Sequence, residues 1–107
     1  MIGESVKVKV DRPMGTYHPV HKNLYYPINY GYIEGVVGGD GDWQDAYIIG
    51  VEVPVTEFEG VVIAIIRRAD DVEEKWVVAP AGKEYTAEEI EKLVHFQERF
   101  FHSEIVT

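Results

Sequence analysis

The β-branched segments of this chain are short, and each is stopped by proline, glycine or a charged turn, so long helices cannot be its main building unit. Ser5 to Val10 alternates as a half-buried strand does, with Val6, Val8 and Val10 on one face and Lys7 and Lys9 on the other. It ends at Asp11-Arg12-Pro13. Ala46 to Val53 and Val61 to Arg68 are further strands bounded by Gly or Pro, and Lys75 to Val78 is a shorter one stopped by Pro80. Several short strands with turns between them predict a barrel or a sandwich. Toward the carboxy terminus the period changes. Thr86 and Glu89 form a capping box, and Ile90, Leu93, Val94, Phe100 and Phe101 fall near one stripe, predicting a helix from Ala87 to Phe101 that packs on the sheet as structural cover. The chain shows no internal repeat or linker, and its 107 residues suffice for one ordinary core, so residues 1–107 are expected to form a single domain.

Charge narrows the function classes. The formal net charge of -9 disfavours nucleic acid and anionic membranes, which are bound through surfaces rich in Lys and Arg. It would also repel a small phosphate compound unless bound cations reverse the local sign. With no cysteine, neither a disulfide framework nor a thiolate metal site is available. Met1 to Val10 lacks the basic-then-apolar layout of a signal peptide, and Val61 to Ile66 is far shorter than the roughly 20 residues of a membrane helix. A soluble, cytoplasmic protein is the expectation.

Asp40, Asp42 and Asp45 fall within six positions, after Gly38-Gly39 and before a strand. That spacing suits a tight turn converging on one point. Carboxylates so close repel each other by about 1 kcal/mol per pair near 4 Å in water, and a cation relieves that repulsion. Hard oxygen ligands point to Mg2+, with Mn2+ possible, rather than zinc. A plain acidic surface turn explains the same residues. A calcium loop of the EF-hand kind does not, since Asp45 stands where its Gly belongs and Val51 where its closing Glu belongs. A second acidic group, Asp70-Asp71-Val72-Glu73-Glu74, is read either as a further part of a metal site or as a solvated hairpin turn. Tyr25, Tyr26, Tyr30 and Tyr32 form a dense set of phenols able to donate to phosphate oxygens, though tyrosines more often pack. His18 and His21 flank Pro19 and are candidate phosphate contacts rather than a metal pair.

Taken in order, Tyr26-Pro27-Ile28-Asn29-Tyr30-Gly31-Tyr32-Ile33, Asp40-Gly41-Asp42-Trp43-Gln44-Asp45, and Asp70, Asp71, Glu73 and Lys75 running into Val77-Val78-Ala79-Pro80 resemble segments of the family I (soluble) inorganic pyrophosphatases. The resemblance covers roughly Val6 to Pro80. It implies a mainly β fold with some α, an OB-like β-barrel with a C-terminal helix. It also implies Mg2+-dependent hydrolysis of pyrophosphate by a metal-activated water, with Asp42 as general base. Asp40, Asp45 and Glu73 would be metal ligands and Asp70 would bind a further metal. Lys75 would steady the acidic cluster or touch a phosphate, and Tyr26 and Tyr30 would line the pocket, Tyr30 beside the reacting groups.

The departures from that pattern concern mostly the grip on phosphate. Trp43 replaces a proline, Glu73 stands where the family has Asp, and the stretch between Asp71 and Glu73 is shorter. An early hairpin bearing Lys and Glu is missing, His18 takes the place of an Arg, and Phe100-Phe101 takes the place of a Tyr-Lys pair. Arg12, His18, His21, Lys22, Arg67 and Arg68 are the available substitutes, with Arg12, His18 and Lys22 expected to contact substrate beside Tyr26. A related phosphohydrolase with another small phosphorylated substrate, and a non-catalytic metal-binding module, are the alternatives. A homo-oligomer is expected by analogy with bacterial family members.

Overall fold

The computed structural model describes residues 1–69 and 73–107. Strands β1 (Ser5–Arg12), β2 (Asn29–Val37), β3 (Trp43–Ile48), β4 (Glu57–Arg68) and β5 (Glu74–Ala79) are followed by helix α1 (Ala87–Glu98) and strand β6 (Ser103–Val106). The sheet order is β1-β2-β3-β5-β4-β6, and β1 also pairs with β4, which closes the first five strands into the expected barrel. All neighbours are antiparallel except β3 and β5, whose parallel register sets Ala46 beside Trp76. Closure needs β1 to cross β2 at short range. A Cβ at Gly31 would lie 1.9 Å from the carbonyl oxygen of Lys9, so only glycine fits there. Among the described residues no helix is long and apolar enough to cross a membrane.

Two buried clusters follow from strand alternation. Val8, Ile33, Ala46, Ile48, Val62, Ile65, Trp76 and Val78 come from all five barrel strands and fill its interior. Tyr47, Ala64, Ile66, Val77 and Ala79 point the other way and meet Ile90 and Val94 of α1 on the outer face. β5 is thus covered on both sides, which is why it reads as one continuous apolar run.

Several sequence boundaries shift. The strand expected over Ala46 to Val53 runs from Trp43 to Ile48, and the strand expected from Val61 begins at Glu57, where its charged residues pair along β1. β2 and β6 are additional strands. The capping box forms, with Thr86 Oγ1 accepting from Glu89 N at 3.1 Å and Thr86 N donating to Glu89 Oε1 at 2.9 Å. The helix, however, ends at Glu98 instead of Phe101, because the chain must turn back to pair β6 with β4. Phe100 and Phe101 therefore leave the apolar stripe and are exposed.

Fully buried Asn29, at the start of β2, ties the flanking loops together. Its Oδ1 accepts from Met14 N at 2.8 Å and Val55 N at 3.3 Å, and its Nδ2 donates to the Val53 carbonyl at 2.9 Å. Asn29→Ala strands these backbone groups, at about 1–3 kcal/mol for a buried group left unpaired. The expected outcome is a loss of at least about 2 kcal/mol in urea unfolding.

Candidate active site

The outer face of the barrel carries the main cluster of charged and phenolic side chains, because one parity of strand residues places it there. Along β3, Asp45 shares its face with Tyr47. Along β5, Lys75 shares its face with Val77, and along β4, Arg68 shares its face with Ile66. The parallel register that pairs Ala46 with Trp76 sets Asp45 beside Lys75 one residue earlier. The segment between β1 and β2 folds back over this face as a hairpin-like excursion, with a bridge between Tyr17 and Tyr25, and the last turn of α1 closes the other side. Between them lies a cavity of about 660 Å³.

Eight residues singled out in the sequence meet in this cavity: Arg12, His18, His21, Tyr26, Tyr30, Asp45, Arg68 and Lys75. Lys75, 4% exposed, donates to Asp45 Oδ2 at 2.5 Å and to Glu73 Oε1 at 2.9 Å, with the Tyr30 ring 5.9 Å away. Burial works against the ammonium charge, yet Tyr30, Asp45 and Glu73 more than offset it and raise its pKa above the ordinary lysine value. Lys75 is thus a fixed cation at neutral pH. Burial also pushes the Tyr30 phenol up, and it raises Glu73 with help from Asp45 against the lowering by Lys75. His18 is lowered by burial, Arg12 and His21, and its Nδ1 accepts from Val20 N and His21 N, each at 3.0 Å. It stands at the cavity as a neutral imidazole that shapes its own loop, not as the cation that would replace an arginine.

Other expected residues lie elsewhere. Asp40 and Asp42 occupy the exposed turn between β2 and β3, where Asp40 Oδ1 accepts from Asp42 N at 3.1 Å and Gly41 takes a φ of 89°. Neither lines the cavity with Asp45, so the turn does not converge the three carboxylates on one point, because Asp45 already belongs to the strand. Among the described residues no three His, Asp or Glu side chains group as a ready metal cage. Lys22 sits at the exposed tip of its loop, outside the cavity lining. Asp70 and Asp71 lie outside the described residues. Arg67 faces away and pairs with Glu74 at 2.9 Å.

A divalent ion fits the donors present. Asp45 and Glu73 already aim two carboxylate oxygens at one cation, the Lys75 ammonium. Mg2+ takes one or two carboxylates and completes its shell with water and phosphate oxygens.

The last turn of α1 is more than the structural cover expected of it. Arg68 donates through Nε and Nη2 to Glu98 at 3.1 and 2.8 Å, and its Nη1 lies 3.9 Å from Glu73 Oε2. Tyr47 donates to Glu98 at 2.6 Å and accepts from Gln97 at 2.7 Å, while Tyr26 donates to Gln97 at 3.0 Å. One polar network therefore runs from Tyr26 through the helix end to Asp45. Burial, with the Glu98 charge adding to it, raises the Tyr47 pKa. Gln97 and Glu98 were not singled out in the sequence, although a signal exists. They follow Ile90 and Val94 at helical spacing, so two polar residues continue a buried stripe.

Barrel and cavity together define a small-barrel protein with a phenol-lined pocket of mixed charge. The inorganic pyrophosphatase family model matches residues 2–105, and the chain belongs to that family. It is 34% identical over 84 residues to the inorganic pyrophosphatase of Aeropyrum pernix, covering 75% of this chain and 44% of that protein. The chain thus spans under half the length of this curated relative. Its fold resembles the crystal structure of the inorganic pyrophosphatase from Ehrlichia chaffeensis, with a TM-score of 0.71 at 16% identity over 97% of this chain and 85% of the other. For the inorganic pyrophosphatase from Coxiella burnetii the TM-score is 0.69 at 17% identity, over 98% and 85%.

Glu98 and Arg68 are both nearly inaccessible, so removing the Glu98 carboxylate takes two charge-assisted hydrogen bonds from a buried guanidinium. Glu98→Ala is expected to cost about 3 kcal/mol or more in chemical denaturation, against well under 1 kcal/mol for Glu57→Ala in the exposed Lys7 pair.

Proposed function

We propose that this chain hydrolyses inorganic pyrophosphate to two phosphates in an Mg2+-dependent reaction at the outer-face cavity. The observation that supports it best is the Lys75 ammonium held between Asp45 and Glu73, in the same cavity as Arg12, Tyr26 and Tyr30. Asp45 and Glu73 would hold Mg2+ or Mn2+, with Asp40 and Asp70 the further ligands that the family resemblance implies, and the ion would neutralise phosphate charge and acidify water. Lys75 relieves the repulsion between the two carboxylates and fixes where they point. Arg12 and Tyr30 orient the substrate from the cavity wall, with Tyr26 behind them, His18 on the loop and Lys22 at its tip. The water oxygen bonds to one phosphorus as the bridging P–O bond breaks, and the electron pair leaves with the second phosphate. Asp42, on the exposed turn between β2 and β3, is the general base that the family resemblance implies, and taking the water proton requires that turn to bring its carboxylate within hydrogen-bond reach of the water. The reading includes residues 1–107 acting as one domain, in the cytoplasm, in a homo-oligomer, without nucleic acid or membrane partners.

Phosphate release from pyrophosphate, measured with and without Mg2+, tests this reading. Turnover requires the metal. Asp42→Asn lowers kcat by about 10²- to 10⁴-fold, the range of a lost general base. Asp45→Asn lowers it comparably and raises the Mg2+ concentration needed. Wild-type turnover no higher than that of Asp42→Asn at saturating Mg2+ would sink the proposal.

A further inference from the structure

Beyond the charged cluster the cavity has an aromatic side that inorganic pyrophosphate, having no carbon, cannot use. Phe100 and Phe101 line the same cavity as Asp45 and Lys75 while remaining 64% and 43% exposed. Large apolar side chains at a cavity wall, open to solvent, are positions that a ligand with an apolar face would cover. Each ring is backed by a cation. The Arg68 guanidinium carbon lies 3.7 Å from the Phe101 centroid and that of Arg99 lies 4.8 Å from the Phe100 centroid. These contacts hold the rings while leaving much of their surface accessible.

The aromatic and charged sides are close. Arg68 touches the Phe101 ring with one part of its guanidinium, and its Nη1 stands 3.9 Å from Glu73, whose other oxygen accepts from Lys75. The Phe101 ring therefore lies within about 9 Å of the Glu73 carboxylate, allowing one C–N bond of ordinary length between the two contacts. A pentose and one phosphate bridge such a gap. The cavity volume of about 660 Å³ is that of a pocket for a drug-sized molecule, well beyond what two phosphates fill. Four cations, Arg12, Arg68, Lys75 and Arg99, line it.

We propose that this cavity takes a phosphoanhydride carrying an aromatic heterocycle at one end, a nucleoside diphosphate in class, with the ring seated against Phe100 and Phe101 and the anhydride beside Asp45, Glu73 and Lys75. The inference rests on the hydrolytic reading above and adds its substrate class. The reaction balances as a hydrolysis. The water oxygen bonds to the terminal phosphorus, the bridging P–O bond breaks with its electron pair on the nucleotide side, and the water protons end on the released phosphate and in solvent. A nucleoside monophosphate and inorganic phosphate leave.

ADP and pyrophosphate serve as the paired probes, each followed by phosphate release with Mg2+ and by metal-free binding. Saturation-transfer NMR on the adenine protons supplies the binding readout for ADP. The expected result is that ADP is hydrolysed, that its adenine protons receive saturation, and that pyrophosphate competes with it. Phe100→Leu and the double variant with Phe101→Leu keep apolar bulk but remove the aromatic faces. They are expected to lower kcat/KM for ADP at least tenfold more than that for pyrophosphate, and Phe100→Tyr restores it. Thermal melts of the variants check that the fold is intact. Hydrolysis of pyrophosphate with no adenine saturation overturns this inference and leaves the hydrolytic reading standing. Equal losses on both probes in the leucine variants overturn it as well. No turnover of either probe removes the hydrolytic reading on which it depends.

Discussion

Glu98 is the carboxylate on which the outer face is organised. It is the last residue of α1 and, at 6% exposure, the sole buried acidic side chain among the described residues. Two strands address it at once, β4 through Arg68 and β3 through Tyr47. Burying such an ion pair adds little net stability over a well-packed apolar pair, because desolvation consumes most of the Coulombic gain. What it contributes is position. An apolar helix end could slide along Val77, Ala79 and Ile66, whereas a bidentate guanidinium and a phenol accept one placement of Glu98. That placement carries Gln97 and Arg99 to the cavity and makes the helix terminate where β6 must begin.

Much of the fold was legible in the sequence, and the parts that were not share a cause. The alternation of β1, the apolar runs of β4 and β5 and the capping box at Thr86 are local patterns, and each is found close to its expected place. β2 was hidden because Tyr30 and Tyr32, with Tyr25 and Tyr26, read as a dense set of phenols. Gly31 is in fact required by the crossing of β1, a contact between distant residues. β6 is four residues long, and its Ile105 and Val106 are half-buried only through pairing with β4 and packing on the helix-side core, contacts between distant residues. The site was legible in residue type but not in arrangement. Asp45, Lys75 and Arg68 lie on three strands that become neighbours only through the order β3-β5-β4, and no spacing along the chain encodes that order. Conversely, Asp40 and Asp42 are close to Asp45 in sequence, yet they belong to a turn that uses their polar atoms on its own backbone.

The charge distribution qualifies what composition alone implied. A chain carrying -9 should repel phosphate, yet four of its ten Lys and Arg line one cavity. Much of the acidic surplus faces solvent elsewhere, as do Glu88 and Glu89 on the first turn of the helix and Glu57 and Glu59 of β4. Field lines are focused in a partly enclosed cleft, so the local sign there matters more to an entering anion than the net charge. Even so, Arg68 is committed to Glu98 and Lys75 to two carboxylates, so most of this positive charge is neutralised where it stands. An additional cation brought with a polyphosphate remains the simplest way to complete the balance.

The hydrogen bonds leading away from Glu98 have a direction, and that direction fixes the character of Tyr26. A carboxylate paired with arginine can only accept, so Tyr47 must donate its single hydroxyl proton to it. The Tyr47 oxygen is then available only as an acceptor to its other neighbour, which requires the Gln97 amide to present its NH2 group there. That choice turns the Gln97 carbonyl toward Tyr26, and the Tyr26 proton is committed to it. Tyr26, read in the sequence as a phenol able to donate to phosphate, therefore offers the cavity lone pairs. A phosphate oxygen finds no donor in it, whereas a water molecule or a hydroxyl of a bound ligand finds an acceptor. Tyr30 keeps its phenol beside Lys75. Of the two tyrosines, Tyr26 is thus the one whose proton is held by the helix end, and it orders what surrounds it.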